Sequence, residues 1–365
     1  MKKIFNIIST VIFLAVIFGS GAAMLILPQK DFSENENRHL EKYPEFSLNG
    51  LFKGEYIPKL ENAFNDQFPM RDSMISMRSE VLRLSGNRDI GGAYLGNDDF
   101  LFEKLTDSNI LTQRFERNLN AINRFTKEFE GETYVMLVPS ASDVLYEKLP
   151  LYNSQYDTEK AYSKANELLN GCSFIDLRDT LGNIGDDSYY KTDHHWTTMG
   201  AGEAYRIWCG LCGLEYSEKP LTELSDTFRG TLYSKVLSPD CAYDRIFACS
   251  VSDDISVYTN GTPSSVYDME KLDTKDKYAV FFGGNFGRID ITNESSNAEK
   301  LLIVKDSFAN CFVPFLTDSY SQITMLDLRY FSGSVKSVSK DFDTVLFLYE
   351  ISNFAQDTDF IKIIM

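Results

Sequence analysis

Short apolar runs alternating with helical periods set the tightest limit on what this chain can fold into. Tyr134-Val135-Met136-Leu137-Val138 ends in Pro139, and Ser173-Phe174-Ile175-Asp176-Leu177 follows after a helical pattern over 158–169. A second helical pattern covers 198–212, and further strand-like runs lie at 278–282, 301–304, 323–328 and 345–349. Upstream, Phe115, Leu119, Ile122, Phe125 and Phe129 recur at spacings of three and four, the period of an amphipathic helix. Strands alternating with helices predict an α/β fold with a parallel sheet covered on both faces, because each crossover needs a helix to return the chain. The run from Gly91 to Phe102 has two apolar stretches around an Asn-Asp-Asp turn and reads as a hairpin. Residues 215–277 are less periodic and richer in Ser, Asp and Tyr, which reads as an insertion of loops.

Residues 4–29 carry no charge, and their apolar core is long enough to cross a bilayer, which takes about 20 residues. Lys2 and Lys3 precede it, so the positive-inside rule places everything from Lys30 onward outside the cytoplasm. A cleaved signal peptide competes with an anchor here, since Gly19-Ser20-Gly21-Ala22-Ala23 offers small residues, but apolar residues continue to Leu27. The organisation expected is an anchor over 1–29, a membrane-proximal helical segment over 30–85 with Pro44, Pro58 and Pro69, and a catalytic domain over 86–365. The formal charge of −17 argues against nucleic acid, whose affinity comes from Lys and Arg neutralising phosphates. Six cysteines lie on the expected outer side, where disulfides are permitted; Cys209 and Cys212 have metal spacing but no second pair beside them.

The chain has three histidines, so imidazole chemistry must draw on Lys191-Thr192-Asp193-His194-His195-Trp196. An Asp two residues before a His on a loop can hold its N–H, fix its tautomer and stabilise the imidazolium formed on proton transfer. A capped helix start with a buried Trp is the plain alternative. Leu301-Leu302-Ile303-Val304-Lys305-Asp306-Ser307-Phe308 is an apolar strand stopping in a polar turn, which would lift Ser307 to the C-terminal edge of a parallel sheet, where open α/β folds place ligands. Here too an N-cap explains the residues, and Pro314 implies that the following helix is short or kinked. A metal site at Asp193, His194 and His195 is a weaker reading, because neighbouring side chains rarely converge on one ion and only His39 remains as a further nitrogen ligand.

Asp193-His194-His195-Trp196, followed more than a hundred residues later by a strand ending in Lys305-Asp306-Ser307, resembles the DHHW-motif family, relatives of the alginate O-acetyltransferases with an SGNH-hydrolase-like, flavodoxin-like fold. Glu36-Asn37-Arg38-His39-Leu40 with Pro44, Asp66-Gln67-Phe68-Pro69-Met70-Arg71-Asp72, the Gly96-to-Phe102 hairpin, Val138-Pro139, Leu149-Pro150 and Asp327-Leu328-Arg329-Tyr330 resemble it in the same order. The resemblance implies Asp193, His195 and Ser307 as catalytic triad, with no cofactor and no metal. It departs from the pattern where Ser140-Ala141-Ser142 stands in place of a frequent Lys. Ser307's own amide is the first oxyanion candidate, with Gly283-Gly284-Asn285 resembling the Gly-x-Asn element loosely; Asn285, Arg329 and Tyr330 are the expected substrate contacts. The implied activity is O-acetyl transfer to a cell-surface polysaccharide through an acetyl-serine, with a membrane-bound O-acyltransferase as donor partner. Ester cleavage from such a polymer and a non-catalytic glycan-binding scaffold are the alternatives.

Overall fold

The computed structural model describes residues 2–33, 35–36, 38–294 and 299–365. Asn37 of the 36–40 motif lies outside the described residues. The chain divides into two compact units, one of residues 1–87 with 234–240 and one of residues 88–233 with 241–365.

The first unit begins with a helix over Lys2–Ile26, long and apolar enough to cross a membrane and without a buried residue in its apolar window. Beyond it, residues of the 36–40 and 66–72 motifs meet one another. Arg38 grips the Asp66 carboxylate through two nitrogens at 2.8 and 2.6 Å, Arg71 pairs with Glu36, and Asn35 donates to Asp72 at 2.7 Å. Gln67 accepts from the Lys30 amide and donates to the carbonyls of Lys30 and Glu41. In a segment with few buried apolar side chains, these fork-shaped Arg–carboxylate contacts supply the geometry that a core would otherwise impose.

The second unit is built on an eight-stranded sheet. In chain order its strands are β1 (Glu132–Val138), β2 (Ser173–Asp176), β3 (Ile255–Thr259), β4 (Thr262–Ser264), β5 (Arg288–Asn293), β6 (Lys300–Lys305), β7 (Gln322–Leu326) and β8 (Thr344–Glu350). They lie in the order β4-β3-β5-β7-β6-β8-β1-β2. From β7 to β2 every pairing is parallel, whereas β5, β3 and β4 add on antiparallel. The sheet is therefore mostly parallel: five strands form the parallel sheet expected from the sequence, and an antiparallel extension of three strands adds to it. Side chains alternate across it. Met136, Ile303 and Leu348 face the helix over Thr198–Cys212, whose Ala201, Ala204 and Trp208 are buried with them. Val135, Leu137, Leu302, Val304 and Phe347 face the helices over Gln113–Thr126 and Thr158–Leu168. Burying one side chain of this size contributes about 1.5–3 kcal/mol, so the two apolar faces fix register as well as stability.

Two further expectations change. Residues 278–282 are not a strand: Lys277–Val280 forms a 3-10 turn, and Phe282, Gly283 and Gly284 all have positive φ, which no strand accommodates. Residues 215–277 are not simply loops, since Leu221–Phe228 pairs with Asp244–Cys249 and the segment also supplies β3 and β4. The hairpin near Gly96 is present as Ala93–Leu95 against Leu101–Glu103. All six cysteines stand as free thiols.

Candidate functional site

Ser307 follows β6 at the C-terminal edge of the parallel strands, in a turn that Asp306 organises. The Asp306 carboxylate accepts from the amides of Phe308 and Glu350 and from the Asn353 side chain, all at 2.8–2.9 Å. The Tyr278 hydroxyl donates to the Ser307 carbonyl at 3.1 Å. Pro314 breaks the helix after the serine turn, as its ring requires: a short helix over Ala309–Phe312 gives way to a 3-10 turn over Val313–Leu316.

The Asp-His-His-Trp segment lies in a loop closed by a bridge between Tyr189 and Trp196, with the Tyr190 amide on the His195 carbonyl. Each residue of the motif has its own task. His195 Nδ1 meets Asp193 Oδ1 at 2.5 Å, and His195 Nε2 meets Ser307 Oγ at 2.7 Å, across 112 residues of chain. His194 bonds Thr231 Oγ1 at 2.7 Å, with its ring packed on that of His195 at 3.9 Å between centroids and its Nδ1 3.5 Å from Asp193 Oδ1. Trp196 is fully buried and donates from Nε1 to the Phe308 carbonyl at 2.9 Å, tying the histidine loop to the serine turn.

Residues that sequence reasoning missed complete the arrangement. The amide and hydroxyl of Thr231 donate to Asp193 Oδ2 at 2.7 and 3.1 Å. Gly230 lies against the same carboxylate so closely that a Cβ there would sit 2.1 Å from Oδ2. Asp244 accepts from the amides of Lys191 and Thr192, fixing the start of the loop. The Tyr278 ring stacks on His195 at 3.8 Å between centroids and 11° between planes. Short, irregular local sequence hides all four, and only their contacts mark them.

The electrostatics follow from burial and neighbours. Burial, reinforced by the like charge of His194, pushes His195 down to about 4, so its ring is neutral near pH 7. Burial alone would raise Asp193, but the charges of His195 and His194, with hydrogen bonds from His195 and Thr231, hold it below the ordinary carboxylate range. With Asp193 ionised, the tautomer assigned to His195 carries its proton on Nδ1, and Nε2 accepts from the serine hydroxyl. Ser307's amide finds no acceptor among the described residues and is left as a donor.

Beside the serine strand, Lys305 is buried, with Nζ 3.0 Å from Asn285 Oδ1, 2.8 Å from Asn310 Oδ1 and 3.6 Å from Asp327 Oδ2. Asn310 donates to Asn285 Oδ1 as well, so the Asn285 oxygen is taken and its NH2 is turned away from Lys305. Arg329 is held on Asp327 by two bonds at 2.8 and 2.6 Å, and Tyr330 is 60% exposed. Donor atoms of Asp193, His194 and His195 lie within 4.8 Å of one another, as a metal site would need. Yet both Nδ1 atoms and the carboxylate are already spent on Asp193, Thr231 and one another, an arrangement suited to proton transfer rather than coordination.

Residues 87–326 match the profile of the DHHW protein family, a span holding Asp193, His195 and Ser307. The chain belongs to the DHHW family. The chain has relatives among solved structures. A DHHW family protein of Eubacterium siraeum superposes with a TM-score of 0.64 at 22% identity, covering 74% of this chain and 95% of that one. Bacillus cereus PatB1, solved with a sulfonyl adduct, superposes with a TM-score of 0.60 at 25% identity, covering 74% and 97%. No curated protein sequence matches this DHHW chain significantly.

Proposed function

We propose that this DHHW protein transfers acetyl groups to a cell-surface polysaccharide through an acetylated Ser307. The observation that carries the proposal is the 2.7 Å contact between His195 Nε2 and Ser307 Oγ, in line with the 2.5 Å contact to Asp193. Ser307 Oγ attacks the acetyl carbonyl as Nε2 takes its proton, and the oxyanion so formed is met by the Ser307 amide and the Asn285 NH2. Imidazolium then protonates the leaving group, and acetyl-Ser307 remains. A sugar hydroxyl attacks this ester, passes its proton to His195, and Ser307 leaves with that proton. Water in place of the sugar would make the same site an esterase. Sulfonyl adducts are what activated nucleophiles give with sulfonylating reagents, and the sulfonyl adduct of PatB1 supports a nucleophilic mechanism for this chain.

Within this proposal Asn285, Arg329 and Tyr330 are acceptor contacts. Residues 1–29 are a membrane anchor, 30–85 a membrane-proximal segment and 86–365 the catalytic domain outside the cytoplasm, receiving acetyl groups from a membrane-bound O-acyltransferase. Anchoring raises the concentration of the enzyme near such a donor. The test is hydrolysis of p-nitrophenyl acetate by the full-length chain: Ser307→Ala abolishes it while circular dichroism stays unchanged. Near wild-type turnover by the folded variant sinks the acetyl-serine, and inhibition by EDTA moves the chemistry to a metal.

A further inference from the structure

The segment that holds Asp193 also carries a cluster of cations on aromatic rings that the acetyl-transfer scheme leaves unused. Arg229 precedes Gly230, which lies against the Asp193 carboxylate, and Tyr233 donates its amide to the Thr192 carbonyl at 3.0 Å. The Arg229 guanidinium sits 4.6 Å from the centre of the Tyr233 ring and 3.9 Å from that of Tyr243. Lys275 brings a second cation to Tyr233, with Nζ 4.2 Å from the ring centre. Three residues later in the chain comes Tyr278, the ring stacked on His195, so the two Cα atoms are at most about 10 Å apart. The cluster is thus tied to both Asp193 and His195.

Solvent reaches it. Arg229, Tyr233 and Lys275 are each partly exposed, and Tyr243 is 57% exposed. Within the Asp-His-His-Trp motif, Asp193, His195 and Trp196 are buried, whereas His194 is 22% exposed and bonds Thr231 of the same segment. The side of the motif that faces water is therefore the side on which the cluster lies.

The two cations are held differently. Arg229 is anchored by donating to the carbonyls of Cys241 and Ala242. Lys275 Nζ has neither a hydrogen bond nor an ion pair among the described residues. Asp193 attracts it, but the oxygens of that carboxylate are taken by His195 and Thr231. Partial burial, with repulsion from Arg229, pushes Lys275 down to about 8, so it still carries its charge near pH 7. With 53 Asp and Glu against 36 Lys and Arg, this chain has carboxylates to spare, yet none pairs with Lys275. An anion arriving from outside would be attracted by both cations and would offset their mutual repulsion. The Tyr233 and Tyr243 rings beside them offer apolar faces with polar tips, against which a sugar ring can pack.

We infer that Lys275, reinforced by the positive field of Arg229, holds a negatively charged group of the acceptor, so that the polysaccharide is an anionic one bearing carboxylate or phosphodiester groups. This rests on the acetyl-transfer reading, but it is tested apart from it. Binding of tetragalacturonate, of a glycerol phosphate tetramer and of cellotetraose as the neutral control is measured by calorimetry on the full-length chain. At least one anionic tetramer is expected to bind more tightly than cellotetraose, with an affinity that falls as salt is added, and the one that binds identifies the source of the charge. Lys275→Met should weaken that binding about 10-fold, the loss of one charge-assisted contact, whereas Lys275→Arg, which keeps the charge, should stay within about 3-fold of wild type. Binding of neither anionic tetramer, tighter binding of cellotetraose, undiminished affinity in Lys275→Met, or equal losses in the Met and Arg variants overturns the inference. Failure of the acetyl-serine reading would show separately, as p-nitrophenyl acetate hydrolysis that survives Ser307→Ala.

Discussion

Gly230→Ala is the sharpest probe of the proposed mechanism, because it adds one methyl group at the back of the Asp193 carboxylate and touches neither His195 nor Ser307. The new Cβ would lie 2.1 Å from Asp193 Oδ2, 2.3 Å from its Cβ and 2.5 Å from its Cγ, against an ordinary contact of at least 3.4 Å. The carboxylate must therefore retreat by about 1 Å. That movement lengthens the 2.7 Å bond from the Thr231 amide and the 2.5 Å bond to His195 Nδ1 together. A misplacement of about 1 Å costs roughly 10²-fold in rate, and full loss of the orienting carboxylate about 10⁴-fold. Turnover of p-nitrophenyl acetate should fall between these limits with KM little changed. Overpacking at the site should lower stability by about 1–3 kcal/mol, read from urea unfolding. In an Asp193→Gly background, which removes the Cβ together with the carboxylate and leaves the methyl group none of that side chain to displace, Gly230→Ala should have no further effect on turnover. A folded single variant within about 3-fold of wild type, or rate losses that simply multiply in the double variant, would refute the role given to Asp193.

The depressed His195 sets a pH dependence with a definite sign. Protonation removes the base, so kcat/KM should fall as pH drops through about 4 rather than through the ordinary histidine value near 6.5. His194→Ala removes a repelling charge and should move this acid limb upward; a wild-type limb near 6.5, or no shift in the variant, would contradict the account. Lys305→Met strands the Asn310 oxygen, leaves the Asn285 oxygen with the Asn310 amide alone and strips Asp327 of one partner. With Asp327 still held by Arg329, the loss is that of a donor to buried acceptors and should cost about 1–3 kcal/mol in urea unfolding, and a neutral result would show the network to be dispensable.

The parallel strands were legible because each is a short apolar run between helical periods, and the sheet edge after Val304 was legible because Lys-Asp-Ser ends such a run abruptly. The antiparallel strands were not. Leu221–Phe228 meets Asp244–Cys249 with register shifts at Glu223/Ser225 and Ser225/Phe228, which erase the two-residue alternation that marks a strand. Thr231, Gly230 and Asp244 come from this same stretch, so the partners of Asp193 and of its loop were hidden with it. Tyr278 was misread for a different reason. Tyr-Ala-Val-Phe-Phe has strand composition, yet three successive positive φ values from Phe282 onward fold it into a turn that lays the Tyr ring on His195. Lys305 reads as the polar end of a strand, and only segments from 285, 310 and 327 converging on it reveal a buried cation.

Trp196 and Tyr278 each reach across to the serine turn, from 112 and 29 residues away. His195, the base of the proposed mechanism, lies 112 residues before Ser307. Contacts of such separation form late, after the entropy of closing long loops has been met. Until β6 has docked between β7 and β8 with the histidine loop over its end, Ser307 is an ordinary alcohol with no base beside it. On the proposed acetyl-serine mechanism, reactivity is thus withheld from partly folded forms of the chain, so a molecule still emerging or still collapsing lacks the means to acylate itself or its neighbours.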